Sequence, residues 1–216
     1  MLLSSLVDAG LLTLTLKRVP KKPPWQANFM KHQSLYCFIS LLLCQAVHAE
    51  APSYCNHSPA PLQPICKGPY LAWQEGRNDL YVTGYAWHNR YKYPPEKWGT
   101  YNELAWGGGL GRSTYDEHGD WHGVYAFAFL ESHSKVEPIG GYAFLKTFHI
   151  SETSNIGLGF TAFITARPDI LNGYPFPGAL PWAGLTYRRA TFIAIYIPGA
   201  RGAGNVLFMI GKYTFS

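Results

Sequence analysis

From Leu80 onward the chain alternates large apolar positions with small or polar ones, and turn residues separate the runs. A period of two is the signature of a strand whose two faces meet different surroundings. The first run, Leu80–Tyr93, sets Tyr81, Tyr85, Trp87, Tyr91 and Tyr93 on one face. The second, Glu103–Arg112, puts Leu104, Trp106 and Leu110 outward and Gly107, Gly109 and Gly111 opposite. In the third, Trp121–Leu130, Trp121, Tyr125, Phe127 and Phe129 alternate against Ala126 and Ala128. Further runs cover Ile139–His149, Asn155–Arg167, about 178–188, Ala190–Pro198 and Asn205–Phe215. Eight runs over residues 80–216 predict an all-β, antiparallel up-and-down barrel. No apolar run approaches the ~20 residues of a membrane helix, whereas about ten residues per strand suits a tilted transmembrane strand.

The preceding residues read differently. Met30, Lys31 and His32 lead into SLYCFISLLLCQAVHA, a basic start, a short apolar core and small residues before Ala49. This is the pattern of a secretory signal peptide over residues 30–49. Residues 1–29 then read as an over-early start or an extended leader. Cys44 suggests a lipoprotein anchor as a minor alternative, against which Leu43 stands where a small residue is expected. Residues 50–79 form a Pro- and Cys-containing extension in which only Tyr70 to Glu75 has the pattern of a short amphipathic turn. In an exported chain Cys55 and Cys66 are disulfide candidates. As a metal pair they lack further ligands. Five of the 18 basic residues and one of the 13 acidic ones precede Glu50, leaving a net charge near +1. That balance gives no footprint for nucleic acid.

A soluble sandwich would also alternate. The signal peptide, the 16% aromatic content and the terminal Tyr-Thr-Phe-Ser favour the outer membrane. In an up-and-down barrel the ends of the first and third strands share a rim. That rim brings His88 near Glu131 and Ser132, and its longer loops point it outward from the cell. A serine needs a base, histidine is the usual one, and a carboxylate can orient the imidazole. The bland alternative is an interfacial histidine and a simple Glu-Ser turn. The glycines at 107–109 are no phosphate loop, since neither Lys-Ser/Thr nor a helix follows. Small inward residues leave room for a linear hydrocarbon, or else serve tight backbone packing. Pro168, Pro175, Pro177, Pro181 and Pro198 sit at strand edges, where they weaken pairing for lateral lipid access or stiffen turns.

The segments AWHNRY, YNELAWGGGLG, GDWHGVYAFAF, EPIGGY, GLGFTAFITAR and YIPG, in this order, resemble the PagP family of outer-membrane lipid A palmitoyltransferases over roughly Asp79 to Phe215. The resemblance implies an enzyme that moves an acyl chain from the sn-1 position of a phospholipid donor to the hydroxyacyl chain of the lipid A acceptor. It implies no metal and no cofactor. It points to His88, Glu131 and Ser132 as catalytic, with Glu131 standing where the family has Asp. It further implies lipid A recognition at Lys97, lipid access near Pro198 and Arg201, and an acyl-chain floor at Ala143, where the family has Gly. Thr83 replaces a family proline in the first strand, and the family's N-terminal amphipathic helix is not evident. Expected partners are outer-membrane lipids, with the protein a monomer or weak homodimer. The competing functions are a non-enzymatic barrel for adhesion or envelope stability, and a soluble lipid carrier.

Overall fold

The computed structural model describes residues 53–216 apart from 94, 98 and 200–203. The signal peptide, the stretch before it and Cys44 lie outside the described residues. Two 3-10 turns, Ser53–His57 and Ala60–Leu62, lead into one helix, α1 (Gln63–Gln74). Eight strands follow: β1 (Arg77–His88), β2 (Leu104–Tyr115), β3 (Trp121–Leu130), β4 (Val136–Ser151), β5 (Ser154–Thr165), β6 (Phe176–Tyr187), β7 (Ala190–Ile197) and β8 (Val206–Thr214). Each pairs antiparallel with the next, and β1 pairs antiparallel with β8 to close the barrel. Closure gives every strand a partner on each side, which is what a strand protein in lipid requires.

The outer surface is apolar. Leu80, Val82, Leu104, Trp106, Leu110, Phe148, Ile156, Leu158, Ile164, Leu185 and Phe192 are exposed on it. A band of this size would make a water-soluble protein aggregate, and in lipid it is the solvated face. No described helix is long and apolar enough to cross a membrane. The interior holds Tyr81, Trp121, Tyr125, Phe127, Trp182, Ile193 and Ile210 at mid-height. Buried polar groups lie toward both ends: Asp79 and Lys212 at the short-turn rim, His88, Glu137 and Thr165 at the long-loop rim.

Three expectations are corrected. The first concerns β3. Trp121, Tyr125 and Phe127 point inward, and Ala126 and Ala128 lie on the outer face. The interior is therefore aromatic rather than lined by Gly and Ala. The β2 glycines explain it. A Cβ on Gly109 would collide with Phe127 and one on Gly111 would lie 2.7 Å from the Tyr81 ring. The glycine lane lets β2 and β3 approach closely while aromatic side chains occupy the space above it.

The second correction concerns β1, which ends at His88 rather than Tyr93. Its alternation is broken by one extra residue at Gly84: Thr83 pairs with Ile210 and Tyr85 with Met209. Asp79, Tyr81 and Thr83 point inward before the bulge, Ala86 and His88 after it, and Tyr85 faces out. A bulge shifts the facing of everything beyond it by one residue. Without Gly84 out of step, uninterrupted alternation from Tyr81 would turn His88 to the lipid. The Thr83 hydroxyl closes the irregular seam by donating to the Ala105 carbonyl at 2.5 Å.

The third correction is α1, a helix of 12 residues where only a turn over 70–75 was expected. Pro64 sits in its first turn, where a missing N–H costs nothing. Pro69 falls inside it. Gly68 and Ala72 face the barrel, and a Cβ on Gly68 would collide with His122 and Tyr142. That close approach covers His122, fully buried on the outer face of β3, whose ring bonds Tyr142 Oη at 2.7 Å and Asp116 at 3.1 Å. Arg112 donates to the Gly76 carbonyl at 2.6 Å, tying the helix exit to β2. Cys55 and Cys66 form a disulfide that fastens the first 3-10 turn to the first turn of α1.

Candidate active site

The long-loop rim carries the described residues of the connections that follow β1, β3, β5 and β7. The bulge at Gly84 delivers His88 to this rim facing inward and almost fully buried, at 2% exposure. Ser132 is the second residue of the β3–β4 turn, and its carbonyl accepts a hydrogen bond from the Asn102 N–H at 2.8 Å. His88 Nε2 and Ser132 Oγ stand 3.2 Å apart. These two expected residues are brought together although they are 44 positions apart in sequence.

The carboxylate beside His88 is Glu103, at 3.3 Å from Nδ1, and the same oxygen accepts the His88 backbone N–H at 3.1 Å. The other Glu103 oxygen accepts from Tyr85 Oη at 2.6 Å and Arg90 at 2.7 Å. Partial burial alone would raise the Glu103 pKa. The bonds from Tyr85, the His88 N–H and Arg90 outweigh it and hold the carboxyl below its ordinary value. Tyr101 stacks on the imidazole with ring centres 4.9 Å apart, and Tyr93 meets it edge-on at 5.5 Å. Tyr93 Oη in turn donates to the Gly204 carbonyl, linking this loop to the one before β8.

Glu131 is directed elsewhere. One oxygen accepts the Lys135 N–H at 3.1 Å, and the other meets His133 Nδ1 at 3.0 Å and Arg167 at 3.4 Å. The side chain fastens the turn that carries Ser132. Arg167 also binds Asp169 at 2.8 Å and lies 3.7 Å from Glu137. Glu131, His133 and Asp169 place one ligand atom each within 4.8 Å of one another, the geometry a metal ion would need. Arg167 already supplies the positive charge among these carboxylates, so the group reads as an ion-pair network.

Lys97 belongs to the 3-10 turn Pro95–Lys97 on the same rim. Pro198 is exposed just beyond the end of β7, and Arg201 lies outside the described residues. Ala143 is fully buried, pairs with Gly123 and packs in the layer of Trp121, Tyr125 and Trp182. The sequence reading passed over Glu103, Arg90, Tyr93 and Tyr101. A signal for Glu103 was present. In an antiparallel hairpin the end of β1 lies beside the start of β2, and Glu103 immediately precedes β2.

Residues 70–212 match the family described as "Antimicrobial peptide resistance and lipid A acylation protein PagP". The chain is 54% identical over 160 residues to a "Lipid A acyltransferase PagP" of Legionella pneumophila, covering 74% of this chain and 86% of that protein. A protein of the same name from Legionella longbeachae is 51% identical over 168 residues, with 77% and 73% covered. The one from Bordetella parapertussis is 53% identical over 161 residues, with 74% and 88% covered. With that match across nearly the whole barrel, the chain belongs to the PagP family.

Proposed function

We propose that the protein is a lipid A acyltransferase of the outer membrane. The family and the relatives' names support lipid A as the acceptor. The apolar outer band supports the membrane setting. The observation that carries the chemistry is the buried His88 Nε2 at 3.2 Å from Ser132 Oγ, at the rim of the barrel.

In the proposed reaction His88 Nε2, working with Ser132 Oγ, takes the proton of the lipid A hydroxyacyl hydroxyl as that oxygen adds to the donor ester carbonyl. The ester bond to the sn-1 glycerol oxygen breaks, and the proton passes from the imidazolium to that leaving oxygen. A new ester forms on the hydroxyacyl chain of lipid A. Ser132 Oγ is the protein hydroxyl within reach of the base, and Glu131 holds the turn that presents it. Atoms and electrons balance without a redox partner. The donor reaches the rim through the β6–β7 seam. β6 pairs with β5 along Phe176–Tyr187, but its ladder to β7 begins only at Trp182. Pro177 and Pro181 lie in the unladdered part, where they have no N–H to offer β7. Lys97 serves lipid A recognition, Ala143 stops the acyl chain, and the rim with the longer loops faces outward. All these residues come from one chain, so a monomer suffices.

The test is mass spectrometry of lipid A from cells expressing the protein, its His88→Ala form or its Ser132→Ala form. Wild type adds one acyl mass and both variants add none while heat-modifiable on gels. Unchanged lipid A with inserted wild-type barrel would favour the adhesion or envelope-stability reading.

A further inference from the structure

We infer that Glu103, rather than the Glu131 beside the reactive serine, is the positioning residue that fixes the tautomer of His88. The inference rests on His88 acting as the base, and deepens that reading by assigning the group that makes it one.

The geometry leaves the imidazole little choice. An ionised carboxylate only accepts hydrogen bonds. Glu103 Oε1 lies 3.3 Å from Nδ1, so Nδ1 carries the proton and donates it. The neutral ring has one N–H, so Nε2 keeps its lone pair toward Ser132 Oγ at 3.2 Å. That is the tautomer a base needs. Glu103 is itself held at both oxygens, by the His88 N–H at 3.1 Å, Tyr85 at 2.6 Å and Arg90 at 2.7 Å. Tyr101, stacked within 9° of parallel, and Tyr93, set edge-on, block rotation of the ring. Glu131 has its bonds to His133, Lys135 and Arg167 instead.

The substitution Glu103→Gln makes the idea sharp. Arg90 carries a charge and can only donate, so it claims the Gln carbonyl oxygen, and the amide NH2 faces His88 in place of the oxygen that accepted its backbone N–H and Nδ1–H. Nδ1 must then accept, the ring proton moves to Nε2, and the nitrogen facing Ser132 is no longer a base. The catalytic rate kcat falls on the order of 10²-fold or more, with KM little changed, because the interaction matters when the proton moves. Loss of rate alone would not separate this from a disturbed fold, so the deciding readout is spectroscopic.

The experiment is 15N NMR of ring-labelled histidine in the detergent-solubilised full chain, with His88 assigned by its absence in His88→Gln. Wild type shows His88 protonated at Nδ1, Glu103→Gln shows it protonated at Nε2, and Glu131→Gln keeps the wild-type pattern. A wild-type His88 protonated at Nε2 overturns the proposal even if no Glu103 variant folds. So does a Glu103→Gln protein that keeps the wild-type tautomer, or a tautomer that changes with Glu131→Gln. The base assignment fails separately, if His88→Ala still transfers acyl chains.

Discussion

Replacing Lys212 by Met strands a charge inside the barrel. Lys212 Nζ lies 3.2 Å from Asp79 Oδ1 across the β1–β8 seam, and both bond Thr214, at 2.7 and 2.5 Å. Their side chains are 4% and 0% exposed, so solvent does little to screen the pair. The Met variant leaves Asp79 with the Thr214 hydroxyl against a carboxylate that water cannot reach. Breaking one half of such a pair costs about 3–5 kcal/mol, because the partner's desolvation stays uncompensated. Lys212 also sits over the Trp121 ring at 5.3 Å, and losing that contact adds roughly 0.5–2 kcal/mol. Removing both charges, as Asp79→Leu with Lys212→Met, leaves no stranded ion and is predicted to cost less than Lys212→Met alone. Equilibrium unfolding in urea with the barrel in detergent micelles, followed by tryptophan fluorescence, gives the three stabilities. A Lys212→Met loss below about 1 kcal/mol, or a double variant less stable than the single, would refute the argument that this pair is a buried unit closing the barrel.

Other outcomes follow from the same structure. Gly68→Val pushes a side chain into His122 and Tyr142 and lifts α1 from the barrel; hydrogen exchange of the α1 amides should accelerate while the strands stay protected. Reducing Cys55–Cys66 frees a short loop and costs about 3 kcal/mol of local stability on a chain-entropy estimate, read as faster exchange in Ser53–His57 and the first turn of α1. Glu103 has a folded-state pKa held below its ordinary 4.5, so its contribution is complete above that value and is lost as pH falls through the depressed pKa. The near-UV signal of Tyr101 stacked on His88 should therefore persist to below pH 4.5, and Glu103→Gln should abolish that acid transition. Ala143→Gly removes a methyl from the buried layer of Trp121, Tyr125 and Trp182 and should shift the transferred acyl chains toward greater length. An unchanged chain distribution counts against Ala143 as the floor.

Much of the barrel was legible because alternation is a local property. Leu104, Trp106 and Leu110 face outward as their spacing implies. What alternation does not carry is phase. The lone glycine in LYVTGYAWH is the signal for a residue out of step, and the direction of His88 depends on it. Phase also decided β3, where either face of WHGVYAFAF could have pointed inward. The answer depends on glycines in the neighbouring strand that make room for Phe127 and Tyr81. The helix was hidden because Pro64 looks like a breaker when its place in the first turn is ignored, and because Pro69 stands in the interior, where a proline is disfavoured. At the site, strand polarity put His88 and Ser132 on one rim, and the family resemblance singled them out from other rim residues. Glu103 is not legible from proximity to Ser132 in sequence, because adjacency across a hairpin, not along the chain, supplies the carboxylate in contact with the ring.

The most direct test of the account is transfer by the purified barrel from a phospholipid labelled only in its sn-1 acyl chain to lipid A. The account predicts that the label appears in lipid A with wild type, and that His88→Ala and Ser132→Ala transfer none of it while their barrels remain folded. Label that stays in the phospholipid with wild type, or that reaches lipid A equally with Ser132→Ala, would contradict it.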